Sequence, residues 1–248
     1  MGSNPTPATI QLIVENISDF FSHLPNAKVI AGYSNKSESL DDLLQSLKLQ
    51  HFSTVQMEQV HDNHWVEIVD GETTKIAGAD GMFTSKVGTC LVVRWADCLP
   101  ILFSHSSGMI GAVHAGRKGT QKEILKETMT AIQNTGVVSE SVPLQLWFGP
   151  RICEECYQID EKADTYFDLV RENQNQLLSV FNAKQVAVTV DQHCTKTEVS
   201  KFHSYRREGT GTPMNYAVIA LVENSATNDR YIDVASPNSP LISTPVLF

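Results

Sequence analysis

Residues 97–116 read DCLPILFSHSSGMIGAVHAG, two short apolar runs rich in Leu, Ile and Val on either side of a polar turn. Continuous apolar runs of this length, bounded by turn residues, are the pattern of strands buried on both faces. They are expected to pair as an antiparallel hairpin. With the turn near Ser106, Cys98 and His114 stand directly opposite one another, Cα atoms about 4.5–5.5 Å apart. A turn over Ser106 to Gly108 with a bulge makes them a diagonal pair about 7–8 Å apart, still within reach. Only an odd slip of register sends the two side chains to opposite faces.

Outward from the hairpin the chain alternates between both kinds of element. The segments KVIAGYS, TCLVVRW, LQLWFGP, QVAVTVD and NYAVIALV suit further strands, and STVQMEQVH with HWVEIVDG, separated by Asp62 and Asn63, suits a second hairpin. The spacing in ISDFFSHL and LDDLLQSLKL predicts short helices. GTQKEILKETMTAIQNTG is expected to form one helix, opened by a Thr cap and stopped at Gly136, and DEKADTYFDLVRENQNQLLSVF one or two more. Strands mixed with helices and joined by hairpins indicate an α+β fold of mixed, largely antiparallel sheets flanked by helices. No repeat or linker divides the chain, so 1–248 is read as a single domain with irregular tails at about 1–10 and 225–248.

Composition narrows the function. The chain has 248 residues, 42% of them hydrophobic and 19% charged, with a formal net charge of −9. An acidic chain of this kind does not suit general binding to nucleic acid or an anionic membrane, and no apolar run approaches the length of a membrane span. The opening MGSNPT fits the pattern for myristoylation at Gly2, but a pattern so short recurs by chance. Five cysteines without a signal peptide suggest reduced thiols and a cytoplasmic protein.

Cys98 and His114 at one end of a hairpin are two ligands of an incomplete metal site. His61, at the end of the run VQMEQVH, is the best third. Two histidines and a cysteine with an open fourth position form a catalytic zinc arrangement, in which the water on the metal is the reactive group. Buried cysteines and hydrogen-bonded histidines also occur for packing alone, and spacing does not separate the two readings.

The blocks QVH, GADGMFT, ADCLPILF, GAVHAGRKGT, GPRICEECYQID and CTKTEVSKFHSYRREGTG, in this order over roughly residues 28–222, resemble the YfiH-like family. That family is also called the laccase-domain or polyphenol oxidase family, and its members are regarded as purine nucleoside phosphorylases. The resemblance places the family's metal ligands on His61, Cys98 and His114. It implies zinc, with copper possible, and phosphorolysis of adenosine, inosine and methylthioadenosine with adenosine deamination alongside. The partners it implies are purine nucleosides and phosphate. The chain departs from the family in three places. Arg117 and Lys118 stand where members carry Trp and Arg, Asp62 follows the QVH block in place of Gly, and YSNKSES replaces a Ser-Thr-Arg.

Lys118 and Arg206 are candidates for binding substrate or phosphate, the first beside the start of a helix, the second resembling a late family arginine. Of Arg206 and Arg207, one is expected to be structural. Asp97 is expected to point away from Cys98 and to serve structure rather than proton transfer. Cys153 and Cys156 form a C-x-x-C unit that suits redox chemistry or, with Cys194 and His203, a second zinc site. Three other functions compete with the phosphorylase. They are copper-dependent phenol oxidation, a metal-free cysteine hydrolase with Cys98 as nucleophile and His114 as base, and a binding module without activity.

Overall fold

The computed structural model describes residues 15–21, 27–71 and 73–223. The two expected tails and Gly2 lie outside them. Among the described residues, sheet one runs in the order β1 (Glu15–Asn16), β2 (Ala27–Tyr33), β14 (Asn215–Glu223), β7 (Thr89–Trp95), β3 (Ser53–Met57), β5 (Lys75–Ile76). Sheet two runs β13 (Val186–Val190), β10 (Leu144–Phe148), β8 (Leu99–His105), β9 (Met109–Ala115), β6 (Gly81–Thr84), β4 (Trp65–Glu67). Strands β11 (Gln158–Asp160) and β12 (Thr165–Tyr166) form a separate ribbon. The α-helices among the described residues are α1 (Leu40–Ser46), α2 (Arg117–Gln121), α3 (Ile124–Asn134), α4 (Leu169–Val180) and α5 (Tyr205–Glu208). The fold is α+β with mixed, mainly antiparallel sheets.

Alternation along the strands explains the layering. Val93, Trp95 and Ile219 of sheet one meet Leu102, Ile110 and Trp147 of sheet two in one apolar layer. Ile101, Phe103 and Val113, on the other face of sheet two, pack under Leu125 and Met129 of α3 and Leu177 of α4. Val92 and Val218, on the outer face of sheet one, pack under Leu43 and Leu44 of α1. Both sheets are thus covered on both faces, which is why their strands read as unbroken apolar runs.

The hairpin of β8 and β9 pairs Leu99 with Ala115 and His105 with Met109, leaving Ser106, Ser107 and Gly108 as the turn. Gly108 takes a left-handed φ of 92°. This is the longer of the two turns considered, so Cys98 and His114 are a diagonal pair.

Four segments differ from expectation. STVQMEQVH and HWVEIVDG do not form a hairpin, because β3 pairs in parallel with β5 and β7 while β4 pairs in parallel with β6 of the other sheet. The chain crosses between sheets at residues 58–64, where the buried Asp80 carboxylate, rather than a facing strand, takes the N–H groups of Val60, His61 and Asp62. The long central helix is two. Glu123 between them has a φ of 65°, and the Gln176 amide of α4 bridges the break, accepting the Lys126 N–H and donating to the Thr120 carbonyl. The expected Thr cap is absent, since Gly116 opens α2 and Thr120 lies buried inside it. Residues 158–166 form a ribbon instead of helix, because Asp160 accepts the N–H groups of Lys162 and Ala163 and closes a turn. Ser18–Phe20 is a single 3₁₀ turn that ends at Phe21 in extended backbone, and residues 22–24 of that expected helix lie outside the described residues. The helix expected over LDDLLQSLKL forms over Leu40–Ser46, opened by a reciprocal cap between Ser39 and Asp42, and stops before Lys48, whose φ is 59°.

Gly111 sits opposite Phe103, whose fully buried ring lies over it where a Cβ would be. Gly111→Ala is therefore expected to destabilise the protein by about 1–3 kcal/mol through overpacking. Denaturant unfolding should record that loss, with part of it restored when Phe103→Leu is added.

Candidate functional site

Two crossings between the sheets occur at the same end of the molecule. One carries His61, between β3 and β4, and the other carries Cys98, between β7 and β8. His114 lies near the end of β9 and its side chain, like that of Ala112 two residues before it, faces the layer between the sheets. The fold thereby gathers three residues distant in sequence, and their ligand atoms lie within 4.8 Å of one another. The His61 and His114 rings meet edge to face with centroids 4.8 Å apart, and Cys98 Sγ is 3.6 Å from His61 Nε2.

Asp80, fully buried just before β6, organises the group. Its Oδ1 is 2.7 Å from His114 Nδ1, and its carbonyl accepts the His114 backbone N–H at 2.7 Å. The same carboxylate holds the N–H groups of Val60, His61 and Asp62 at 3.1, 3.1 and 2.9 Å. His61 has a left-handed φ of 60°, a costly conformation for a residue other than glycine. These hydrogen bonds offset that cost, and the bond at Nδ1 leaves His114 Nε2 to face Cys98.

Gly116 supplies the room. One step past the Leu99–Ala115 pair it stands opposite Cys98, and a Cβ there would lie 2.6 Å from His61 Cδ2 and 2.8 Å from Cys98 Sγ. Electrostatics complete the description. Burial acts to raise the Cys98 thiol, but the His114 charge and hydrogen bonds from both histidines outweigh it and pull the thiol down to about 6. Burial likewise acts to lower His114, yet the Cys98 thiolate and Asp80 push it up to about 9. Asp80 is itself held below the usual carboxylate range, His114 and the backbone N–H groups outweighing its burial. Without a metal the pair is thus a thiolate and an imidazolium.

The donor set suits a borderline-soft divalent ion. Ligands of zinc at their usual bond lengths stand about 3.5 Å apart in a tetrahedron, and the Cys98–His61 separation of 3.6 Å matches. His61 is exposed and Cys98 partly so, on a side open to a cavity of about 700 Å³. Arg117, Lys118 and Arg206 line that cavity, as do the Tyr157 and Tyr205 rings. The Arg206 guanidinium stacks 5.1 Å from the Tyr157 ring centre and donates to the Gln158 carbonyl. Arg207 turns inward instead and donates to the carbonyls of Thr195, Lys196 and Phe202, a structural role. Asp97 is also structural, accepting from Thr195 Oγ1 and from the Arg206 N–H, each at 2.6 Å.

Residues 34–182 match the family described as multi-copper polyphenol oxidoreductase laccase. The chain belongs to this laccase-domain, YfiH-type family. It is 33% identical over 163 residues to purine nucleoside phosphorylase Cj1217c of Campylobacter jejuni, covering 62% of this chain and 71% of the relative. It is 25% identical over 173 residues to adenosine deaminase RL5 from an unknown prokaryotic organism, covering 61% of this chain and 65% of that protein. The crystal structure of YlmD from Geobacillus stearothermophilus superposes with a TM-score of 0.70 at 23% identity, over 82% of this chain and 99% of that one. That likeness establishes the shared fold.

Asp80 and Gly116 are the site residues that motif spacing did not single out, although both lie inside quoted family blocks. The two consecutive small residues of HAG and the acid of GADG were the available signals. Alkylation checks the electrostatics. In metal-stripped protein the rate at Cys98 is expected to be already maximal at neutral pH and to fall as the pH drops through about 6. His114→Gln should move that midpoint up toward about 8.5.

Proposed function

We propose that this chain is a zinc-dependent purine nucleoside phosphorylase with the metal on His61, Cys98 and His114. Its substrates are adenosine, inosine and methylthioadenosine, each cleaved by inorganic phosphate to a free base and a ribose 1-phosphate. The observation that carries this reading is the joining of two chemistries in one cavity, a His2Cys trio at the floor and Arg117, Lys118 and Arg206 on the walls of an otherwise acidic chain. Relatives named as purine nucleoside phosphorylases support it.

When bound, the metal supplies a Lewis acid at the cavity floor. The remaining work belongs to the chain. Lys118 and Arg206 orient the phosphate, Arg206 being pre-positioned by its stacking on Tyr157. The Tyr157 and Tyr205 rings offer apolar faces for a purine. Arg117, where the family usually carries Trp, adds a third cation at the phosphate end. Asp97 positions Thr195 and the Arg206 backbone, each of its oxygens accepting one hydrogen bond. Five free cysteines fit a reducing, cytoplasmic setting.

Adenosine deamination is the second reading, favoured by the relative named adenosine deaminase. The two reactions separate by product. Purified, zinc-loaded protein is expected to release adenine from adenosine only when phosphate is present, and any inosine regardless of phosphate. Cys98→Ser should lower kcat/KM at least about a thousandfold, or about 4 kcal/mol. Lys118→Ala should raise the phosphate KM roughly tenfold with little change for the nucleoside. Undiminished turnover after chelation would contradict the metal and favour Cys98 as a nucleophile. Phenol oxidation by copper-loaded protein without nucleoside turnover would favour the oxidase.

A further inference from the structure

Strands β10 and β13 run parallel in register, Phe148 beside Val190, so the two segments that follow leave sheet two together. They stay together. Arg151 and Cys194 form a further parallel bridge, the Arg151 N–H donates to the His193 carbonyl at 3.4 Å, and the Thr195 N–H donates to the Arg151 carbonyl at 3.0 Å. This parallel course sets the C-x-x-C unit against Cys194. The turn Glu154–Cys156 brings Cys156 back onto Cys153, its N–H donating to the Cys153 carbonyl at 3.1 Å. The sulfur atoms of Cys153, Cys156 and Cys194 lie within 4.8 Å of one another, and the Cys153 N–H donates to Cys194 Sγ at 3.3 Å. All three are free thiols. His203 is not among them, since it bonds the Lys36 carbonyl and the Glu208 carboxylate.

Three thiols this close, on two loops locked by backbone hydrogen bonds, form a donor set for a soft ion. Magnesium and calcium take oxygen donors, whereas thiolates select zinc, copper(I) or iron–sulfur clusters. Sulfur ligands of a tetrahedral zinc stand about 3.8 Å apart, a small closing from the present spacing. Cys194 is buried and the other two are half-buried, so the trio has an anchored side and a side open to solvent. Glu155, exposed in the turn between Cys153 and Cys156, is the nearest carboxylate in sequence to two of the three thiols.

We propose that Cys153, Cys156 and Cys194 form a second metal site, for a thiophilic closed-shell cation, Zn²⁺ or Cu⁺, separate from His61, Cys98 and His114. Zinc would complete its four ligands with Glu155 or water, and copper(I) would take the three sulfurs alone. The ion has a structural task. It clips the loop that leads to Tyr157 and Gln158, on the cavity wall, to the loop whose Thr195 holds Asp97 beside Cys98. The assignment does not depend on the reaction proposed above.

Counting ions on the reduced, metal-stripped full chain tests it, with Zn²⁺ alone and Cu⁺ alone as separate arms that identify the ion. Native mass spectrometry should find two equivalents of the preferred ion on the wild type and one on each of Cys156→Ser and His114→Ala. The double variant should hold none. Co²⁺ serves as an independent probe, because the thiolate-to-cobalt charge-transfer band should persist in His114→Ala and drop to that of a single thiolate in Cys156→Ser. If the first site takes no metal, the wild type holds one ion, unchanged in His114→Ala and lost in Cys156→Ser, and the second site still stands. Equal ion counts on wild type and Cys156→Ser, with matching circular dichroism, would overturn the proposal, as would complete loss of metal from His114→Ala alone.

Discussion

The site depends on one buried carboxylate. Asp80 has no exposed surface, and an ionised acid in such a place persists only when its oxygens are matched by donors. Four groups supply them, the successive N–H groups of Val60, His61 and Asp62 and the His114 ring. The same contacts that stabilise the charge bend the crossing segment into the left-handed turn that carries His61, and they fix which nitrogen of His114 faces Cys98. Fold and chemistry therefore share a constraint.

Much of this was legible in the sequence, for reasons that can be named. The hairpin of residues 97–116 is symmetric about a short polar turn, so strand periodicity brought Cys98 and His114 together without tertiary information, and the terminal position of His61 marked it as the third. Three features were out of reach because their causes lie elsewhere in the chain. Asp62 and Asn63 look like a hairpin turn until Asp80 is placed. The break at Glu123 has no Gly or Pro to announce it and is held by Gln176, some fifty residues on. The ribbon at 158–166 rests on one Asp160 side chain closing a turn inside a segment of otherwise helical composition. Local propensity described each segment and tertiary hydrogen bonds overrode it.

Charge is distributed against the composition. A chain of net charge −9 gathers Arg117, Lys118 and Arg206 around one cavity, while Asp97, which also lines it, has both carboxylate oxygens in hydrogen bonds to Thr195 and the Arg206 N–H. Three cations on one cavity of an acidic chain form a local basic patch, the setting that the proposed reaction with phosphate calls for. Asp97 also links the two cysteine-bearing regions, since it precedes Cys98 and its carbonyl accepts the Ile152 N–H next to Cys153.

The role of Asp80 is open to a direct measurement, the zinc affinity of Asp80→Asn by competition with a coloured chelator, with circular dichroism as the control for folding. Asparagine keeps the size and one acceptor oxygen but removes the charge that orients His114 and holds the His61 turn. The expected result is a folded protein whose affinity at the His61–Cys98–His114 site is about 10–100-fold weaker. A folded variant that binds zinc there as tightly as the wild type would contradict the account.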